Sequence, residues 1–206
     1  MLTIKGRDTS SNVQKVLWMC GELGLPFEHE NIGGPFGGND QPDYLAINPN
    51  GRVPTIIDGD YILWESNSCT RYLAAQYGSD PLCPADPKIR GNAERWMDWQ
   101  LTTMSPALVP VFWGLVRTAP ADRDKDAIEA ARKKLSAMIA IVDAQLARTT
   151  YLAGDDFTFG DIPLGITAYR WFVMDMERED YPNLKRWYAL LTERKAFQDA
   201  VMNPLA

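Results

Sequence analysis

The stretch Asn48-Pro49-Asn50-Gly51-Arg52-Val53-Pro54-Thr55-Ile56-Ile57 combines the signals of a turn with those of a short strand. Asn-Pro and Asn-Gly pairs favour turns, and the β-branched residues after them favour a strand. Because Pro54 cannot donate to a sheet, we expect either an edge strand or a strand entered through a special bond, such as a cis Val53–Pro54 peptide. The backbone of Val53 would then be free to pair with an extended peptide ligand.

A hairpin and a helix are predicted to follow. Asp58-Gly59-Asp60 is typical of a tight turn, after which residues 61–64 run back antiparallel. Glu65 and Ser66 then open a helix, whose free amides attract a carboxylate, with the Ser66 hydroxyl as a second donor. Glu65 can take an ammonium group. The pair suits the head of an amino acid, although an ordinary hairpin and capped helix would also contain it.

Composition and charge narrow the class of protein. The 206 residues allow one large or two small domains, and 46% hydrophobic with 23% charged residues is ordinary for a soluble protein. A net charge of −6 argues against binding to nucleic acid or to an anionic membrane. Neither a membrane span nor the apolar core of a signal peptide is present. Three cysteines without a Cys-x-x-Cys pair fit a reducing compartment, so we expect a cytoplasmic protein.

Hydrophobic periodicity predicts two domains. Residues 1–78 show strand, helix, strand, short helix, hairpin and helix, and the parallel pair of strands requires a right-handed crossover. The Pro-rich segment 79–87 is the expected linker. Residues 88–206 are predicted to be helical: the first helix runs to residue 117 and is interrupted by Pro106 and Pro110, and the clearest one covers residues 124–148.

The array of Val-Pro, hairpin and Glu-Ser at a helix start resembles the glutathione site of the glutathione S-transferases. This resemblance implies an α/β thioredoxin-like N-terminal domain, an all-α helical C-terminal domain and a homodimer. It also implies that Val53 pairs with the cysteinyl backbone of glutathione, while Ser66 and Glu65 hold its γ-glutamyl end. Segments 6–17 and 65–74 look like the bacterial theta-like subgroup.

The same resemblance places the start of the first helix against the glutathione thiol. Matching the theta and delta classes selects Ser10, and Asn12, which replaces a proline common there, is the other candidate. Only a few per cent of a thiol with a pKa of about 8.5 is ionised at neutral pH. Lowering that pKa by about two units requires roughly 2.7 kcal/mol, which one charge-assisted hydrogen bond and the helix dipole can supply. Either residue could instead serve solely as a helix cap.

Further residues are candidates for binding the glycine end of glutathione and the second substrate. Arg52 and Asn39 could bind the glycine carboxylate, although Arg52 could equally be a solvated surface charge. The second substrate is expected between the domains. Trp113, Phe112 and Arg117 could line its site, and Arg117 could anchor an anionic acceptor. In the alternative interpretation the aromatic residues belong to the core and the arginine lies on the surface.

Several residues are expected to play no catalytic part. Cys20 and Cys69 are predicted to be buried, and neither they nor Cys83 lies at the thiol-facing turn, which argues against a mixed-disulfide mechanism. Asp161 fits a helix-capping pattern. His29 is the single histidine, which excludes a Ser-His-Asp hydrolase as commonly built and a His-rich metal site.

The sequence therefore predicts a glutathione transferase that ionises the thiol of glutathione and joins it to a small electrophile, by halide displacement or conjugate addition. No metal, nucleic acid or membrane is expected to take part. Two alternatives stay open: a non-catalytic assembly module with this fold, and a glutathione-dependent isomerase or peroxidase.

Overall fold

The computed structural model describes residues 1–205. Four strands and nine α-helices follow one another along this part of the chain. Their bounds are β1 Leu2–Lys5, α1 Ser11–Leu23, β2 Phe27–Glu30, α2 Pro42–Ile47, β3 Thr55–Asp58, β4 Tyr61–Trp64, α3 Ser66–Tyr77, α4 Pro87–Trp99, α5 Ser105–Phe112, α6 Lys125–Leu146, α7 Asp161–Val173, α8 Pro182–Thr192 and α9 Lys195–Val201.

The strands form one mixed sheet in the order β2-β1-β3-β4. β1 pairs with β2 in parallel and with β3 antiparallel, and β3 pairs antiparallel with β4. β3 lies inside the sheet, so the prediction of an edge strand is wrong. The alternative prediction, a strand entered through a special bond, is correct: Pro54 lies just before the first paired residue, Thr55, and the Val53–Pro54 bond is cis. Residues 87–205 contain helices and no strand. Together with the sheet topology, this confirms the predicted fold class, a thioredoxin-like α/β domain followed by an all-α domain.

The predicted long helix of residues 88–117 is a series of four segments. α4 is followed by a π-helical segment, Gln100–Met104, then by α5 and by a second π-helical segment, Trp113–Arg117. Pro106 lies at the start of α5 and Pro110 lies inside it, and each lacks the N–H that a residue of the continuous helical backbone would donate. The predicted interruption is thus made by wider π turns.

Helix α1 is fixed between the sheet and the C-terminal helices. Trp18 is fully buried, and its ring centroid lies 4.7 Å from that of Phe197 in α9 and 5.6 Å from that of Phe157. α7 approaches so closely that a Cβ atom on Gly165 would stand 2.7 Å from the Trp18 ring. This packing holds the N-terminus of α1 against the start of β3 and α3.

Asp161 has the structural role that its capping pattern predicts. The carboxylate is fully buried, and one oxygen accepts from the backbone N–H of Thr158 at 3.0 Å. The other oxygen accepts from the backbone N–H of Leu152 and from the indole N–H of Trp187, both at 3.0 Å. Asp161 therefore joins three segments of the helical region. None of the helices described has the length and apolarity needed to cross a bilayer.

Candidate active site

A cavity of about 270 Å³ opens where the N-termini of α1 and α3 meet the start of β3. Five of the seven predicted site residues line it, whereas Ser10 and Asn39 do not. The full lining is Asn12, Asn48, Asn50, Arg52, Val53, Pro54, Trp64, Glu65, Ser66 and Leu101.

The backbone of Val53 is available to a ligand. Within residues 1–205, neither its N–H nor its carbonyl makes a hydrogen bond to another backbone group. The preceding turn is fixed, because the Arg52 carbonyl accepts from the Tyr44 hydroxyl at 2.7 Å and from the Asn48 side-chain amide at 2.8 Å. A rigid, unpaired backbone beside a cavity is suited to pairing with an extended peptide.

Glu65 and Ser66 occupy the predicted position at the start of α3. Glu65 has a φ of 73°, a left-handed conformation that is costly for a residue with a side chain and is often found at functional sites. Its side chain is exposed, whereas Ser66 is 6% exposed. The first N–H groups of the helix point along its axis without intrahelical acceptors. Together these groups form a site for a carboxylate next to a separate site for an ammonium.

Lys15 lies beneath this helix start and is not among the site residues predicted from the sequence. Its ammonium donates to Ser66 Oγ at 3.3 Å, to Asn67 Oδ1 at 3.0 Å and to Gln100 Oε1 at 3.2 Å. Burial lowers the pKa of Lys15 to about 7, although Glu65 acts in the opposite direction. The sequence carries no clear signal for it, because Lys15 lies off the apolar stripe of α1 and its burial is a result of the packing of that helix.

The structure distinguishes the two candidates at the thiol-facing turn. Ser10 is the N-cap residue of α1, but its side chain makes no capping hydrogen bond, and it lies outside the cavity lining. Asn12 lines the cavity, and its Oδ1 accepts from the Ser66 hydroxyl at 3.2 Å. With its oxygen held in this way, the amide of Asn12 keeps its NH₂ group as a donor.

The remaining candidates are dispersed. Asn39 donates to the Gly51 carbonyl at 2.7 Å and so supports the turn before Arg52. Phe112 is buried in the core and Arg117 is exposed, both as the alternative interpretation held, whereas Trp113 is exposed and not a core aromatic.

The cysteines and the histidine offer no obvious chemistry here. Cys20 and Cys69 are buried as predicted, and burial raises the pKa of each thiol to about 12. His29 Nε2 lies 2.6 Å from the Gly6 carbonyl, next to the sheet. No group of three or more His, Cys, Asp or Glu side chains in residues 1–205 is placed to hold a metal ion.

Known proteins match this chain along its whole length. Residues 9–76 match the glutathione S-transferase N-terminal domain, and residues 95–195 match the glutathione S-transferase C-terminal domain. Glutathione S-transferase GstB of Escherichia coli K12 is 46% identical over 208 residues, covering 100% of both chains. Glutathione S-transferase 3 of Zea mays is 33% identical over 221 residues, covering 97% of this chain and 93% of the relative.

A solved structure agrees with these relatives. The theta class glutathione S-transferase of Xanthomonas axonopodis pv. citri, determined with glutathione bound, superposes with a TM-score of 0.96. It is 48% identical and covers 100% of this chain and 99% of its own. On the combined evidence of fold, site and whole-length similarity, the chain belongs to the glutathione S-transferase family and is a glutathione transferase of the bacterial theta-like group.

Proposed function

We propose that the cavity binds glutathione and that Asn12, rather than Ser10, donates the hydrogen bond that stabilises its thiolate. The hydrogen bond from Ser66 Oγ to Asn12 Oδ1, 3.2 Å long, carries this assignment. Before glutathione binds, that bond holds the amide oxygen, so the NH₂ group is the part of Asn12 that is left to face an incoming sulfur. A donor next to a helix N-terminus favours the anionic form of the thiol.

The other lining residues take the ends of the tripeptide. Ser66 and the first amides of α3 bind the γ-glutamyl carboxylate, and Glu65 binds the ammonium group next to it. The unpaired backbone of Val53 pairs with the cysteinyl residue of glutathione. Arg52 is exposed on the cavity wall, and among the described residues its side chain has no ion-pair partner, which supports a contact with the glycine carboxylate. Asn39 acts indirectly, through the turn that presents Arg52.

The reaction joins the sulfur to a small electrophile. The thiol proton passes to water, and the thiolate forms a C–S bond with an electrophilic carbon. In a displacement the C–halide bond breaks and the halide leaves with the bonding pair. In a conjugate addition the resulting carbanion takes a proton from water. The cleft supports both routes, because the thiolate is the reactive group in each.

The ultraviolet absorbance of the thiolate tests this assignment directly. Glutathione bound to the wild type should titrate well below the ordinary thiol pKa of about 8.5. Asn12→Ala should return the pKa towards that value and lower kcat, while Ser10→Ala should do so much less. If Ser10→Ala has the larger effect, Ser10 is the activating residue. A bound thiol with an unchanged pKa in the wild type would overturn thiol activation as a whole.

We further propose that the protein is a cytoplasmic homodimer, with domains at residues 1–78 and 88–206 joined by residues 79–87. Exposed apolar side chains near the cavity support a dimer: Ile62 and Trp64 of β4 are 40% and 36% exposed, and Leu101 is 45% exposed. Burial of such a patch is favourable in an interface. Light scattering on the purified protein should give twice the 23.2 kDa mass of the chain, and a monomer mass would overturn the proposal.

A further inference from the structure

Two arginines that are distant in sequence, Arg117 and Arg170, meet at one aromatic ring, and a third, Arg7, lies next to the proposed site. Arg7 lies in the loop between β1 and α1, Arg117 ends the second π-helical segment, and Arg170 lies in the last turn of α7. The guanidinium carbons of Arg170 and Arg117 lie 4.2 Å and 5.8 Å from the ring centroid of Phe112. The two cations therefore share one aromatic ring.

Arg7 lies on the side of Val53, near enough to the other two arginines for their charges to act on one another. Its side chain passes so close to Gly34 that a Cβ atom there would stand 3.0 Å from both Cδ and Nε of Arg7. A Cβ atom on Gly33 would stand 3.6 Å from Arg7 Nη1 and 3.5 Å from Val53 Cγ1. The Arg7 guanidinium thus lies close to the residue proposed to bind the cysteinyl backbone of glutathione.

The three charges act on one another. Burial and the charge of Arg117 lower the pKa of Arg7. Burial, then Arg117, then Arg7 lower the pKa of Arg170 to about 10. Such mutual repulsion is unfavourable unless an anion offsets it.

No acidic side chain balances this cluster in residues 1–205. None of the three arginines forms an ion pair or donates a side-chain hydrogen bond there, in contrast to Arg132, which binds both Glu129 and Glu179. Arg170 is 9% exposed, and its Nε has no hydrogen-bond acceptor among these residues. A buried guanidinium N–H without an acceptor leaves one donor of Arg170 free for a ligand.

We propose that Arg7, Arg117 and Arg170 bind a carboxylate or sulfonate carried by the electrophilic second substrate. This inference rests on the proposed function, because it assigns the acceptor to the region between Arg7, next to Val53, and the Phe112 ring that carries Arg117 and Arg170. Planar guanidinium groups bind carboxylates and sulfonates through paired N–H donors. The glycine carboxylate of glutathione is the other possible source of this anion, and the experiment separates the two.

The test uses two acceptors of similar shape, one anionic and one neutral: a chloronitrobenzoate and the matching chloronitrobenzamide. Each enzymatic rate is divided by the uncatalysed rate with glutathione, which removes the difference in ring reactivity. Wild-type turnover of the amide tests the proposed function by itself. Arg117 is exposed, so Arg117→Gln should fold, and it should lower the benzoate-to-benzamide ratio of kcat/KM by about tenfold. Arg117→Lys should restore part of that ratio.

Arg148→Gln is the matched control, since Arg148 is also exposed and lies outside the cluster, and it should leave the ratio unchanged. A ratio that is also unchanged in Arg117→Gln overturns the proposal. The proposal also fails if Arg117→Gln raises the KM for glutathione equally with both acceptors, because the cluster would then serve glutathione.

Discussion

The ammonium of Lys15 lies 3.3 Å from the hydroxyl of Ser66, and that hydroxyl donates in turn to Asn12 Oδ1 at 3.2 Å. A buried cation in α1 is therefore connected to both proposed functional elements, the carboxylate site and the thiolate donor. Because Ser66 has a single hydroxyl hydrogen, a bound carboxylate would compete with Asn12 for it. Binding of the γ-glutamyl end and placement of the Asn12 amide are thus coupled through Ser66.

Ser66→Ala should weaken glutathione binding. The substitution removes a donor to the γ-glutamyl carboxylate, so we expect the KM for glutathione to rise about tenfold to a hundredfold. Steady-state kinetics with varied glutathione measures this. Ser68→Ala is the matched control, because Ser68 lies two residues further along the same helix and is exposed. Equal KM values for the two variants would contradict the assignment of the carboxylate site.

The buried charge of Lys15 should make stability depend on pH. Its folded pKa of about 7 lies below the ordinary 10.5, so between these values the unfolded chain holds a proton that the folded chain lacks. The free energy of unfolding should therefore rise with pH in this window, by at most about 1.4 kcal/mol per pH unit. The full penalty of burying the charge is present below pH 7.

Lys15→Met should abolish this slope, as measured by urea denaturation between about pH 7 and about pH 9. The raised pKa values of Cys20 and Cys69 have the opposite sign and act above pH 9, outside that range. Exposed Lys134, changed to Met, provides the control and should keep the wild-type slope. If the free energy of unfolding depends on pH equally in Lys15→Met and in Lys134→Met, Lys15 stays charged in the folded state over the whole pH range measured.

Asp161→Asn should destabilise the helical region without altering the site. One carboxylate oxygen would become an NH₂ group facing N–H donors, so we expect a loss of about 2 kcal/mol in the free energy of unfolding. Asp156→Asn, at an exposed position nearby, should change stability little. Urea denaturation gives both values, and kcat per folded molecule should match the wild type. A large fall in kcat would indicate a catalytic role for Asp161.

Thiol labelling should distinguish the three cysteines. Cys20 and Cys69 are buried with thiol pKa values raised to about 12, whereas Cys83 is half-buried. Since the thiolate is the reacting species, a chromogenic disulfide should label one thiol in the native protein and three in denaturant. Rapid labelling of more than one thiol in native protein would contradict the burial of Cys20 and Cys69.

The sequence alone was sufficient for features that arise from neighbouring residues. The hairpin and the helix start at Glu65 and Ser66 depend on turn chemistry, so short segments encode them. Local rules left a cis bond at Pro54 as one of two alternatives, and the position of β3 in the sheet decided between them. The capping role of Asp161 is local in the same sense, although its bond to Trp187 is not. Five of the seven predicted site residues line one cavity because most of them flank these local features.

Only the tertiary structure determined the long-range contacts of the site. Lys15 meets Ser66 and Gln100 across 51 and 85 residues of chain, and the arginine cluster joins positions 7, 117 and 170. Hydrophobic periodicity shows which helix face is buried but not which side chains meet it. The preference for Asn12 over Ser10 has the same origin, because it depends on how α1 is rotated against α3. Packing around Trp18 fixes that rotation, and the core to which Trp18 belongs is assembled from the whole chain.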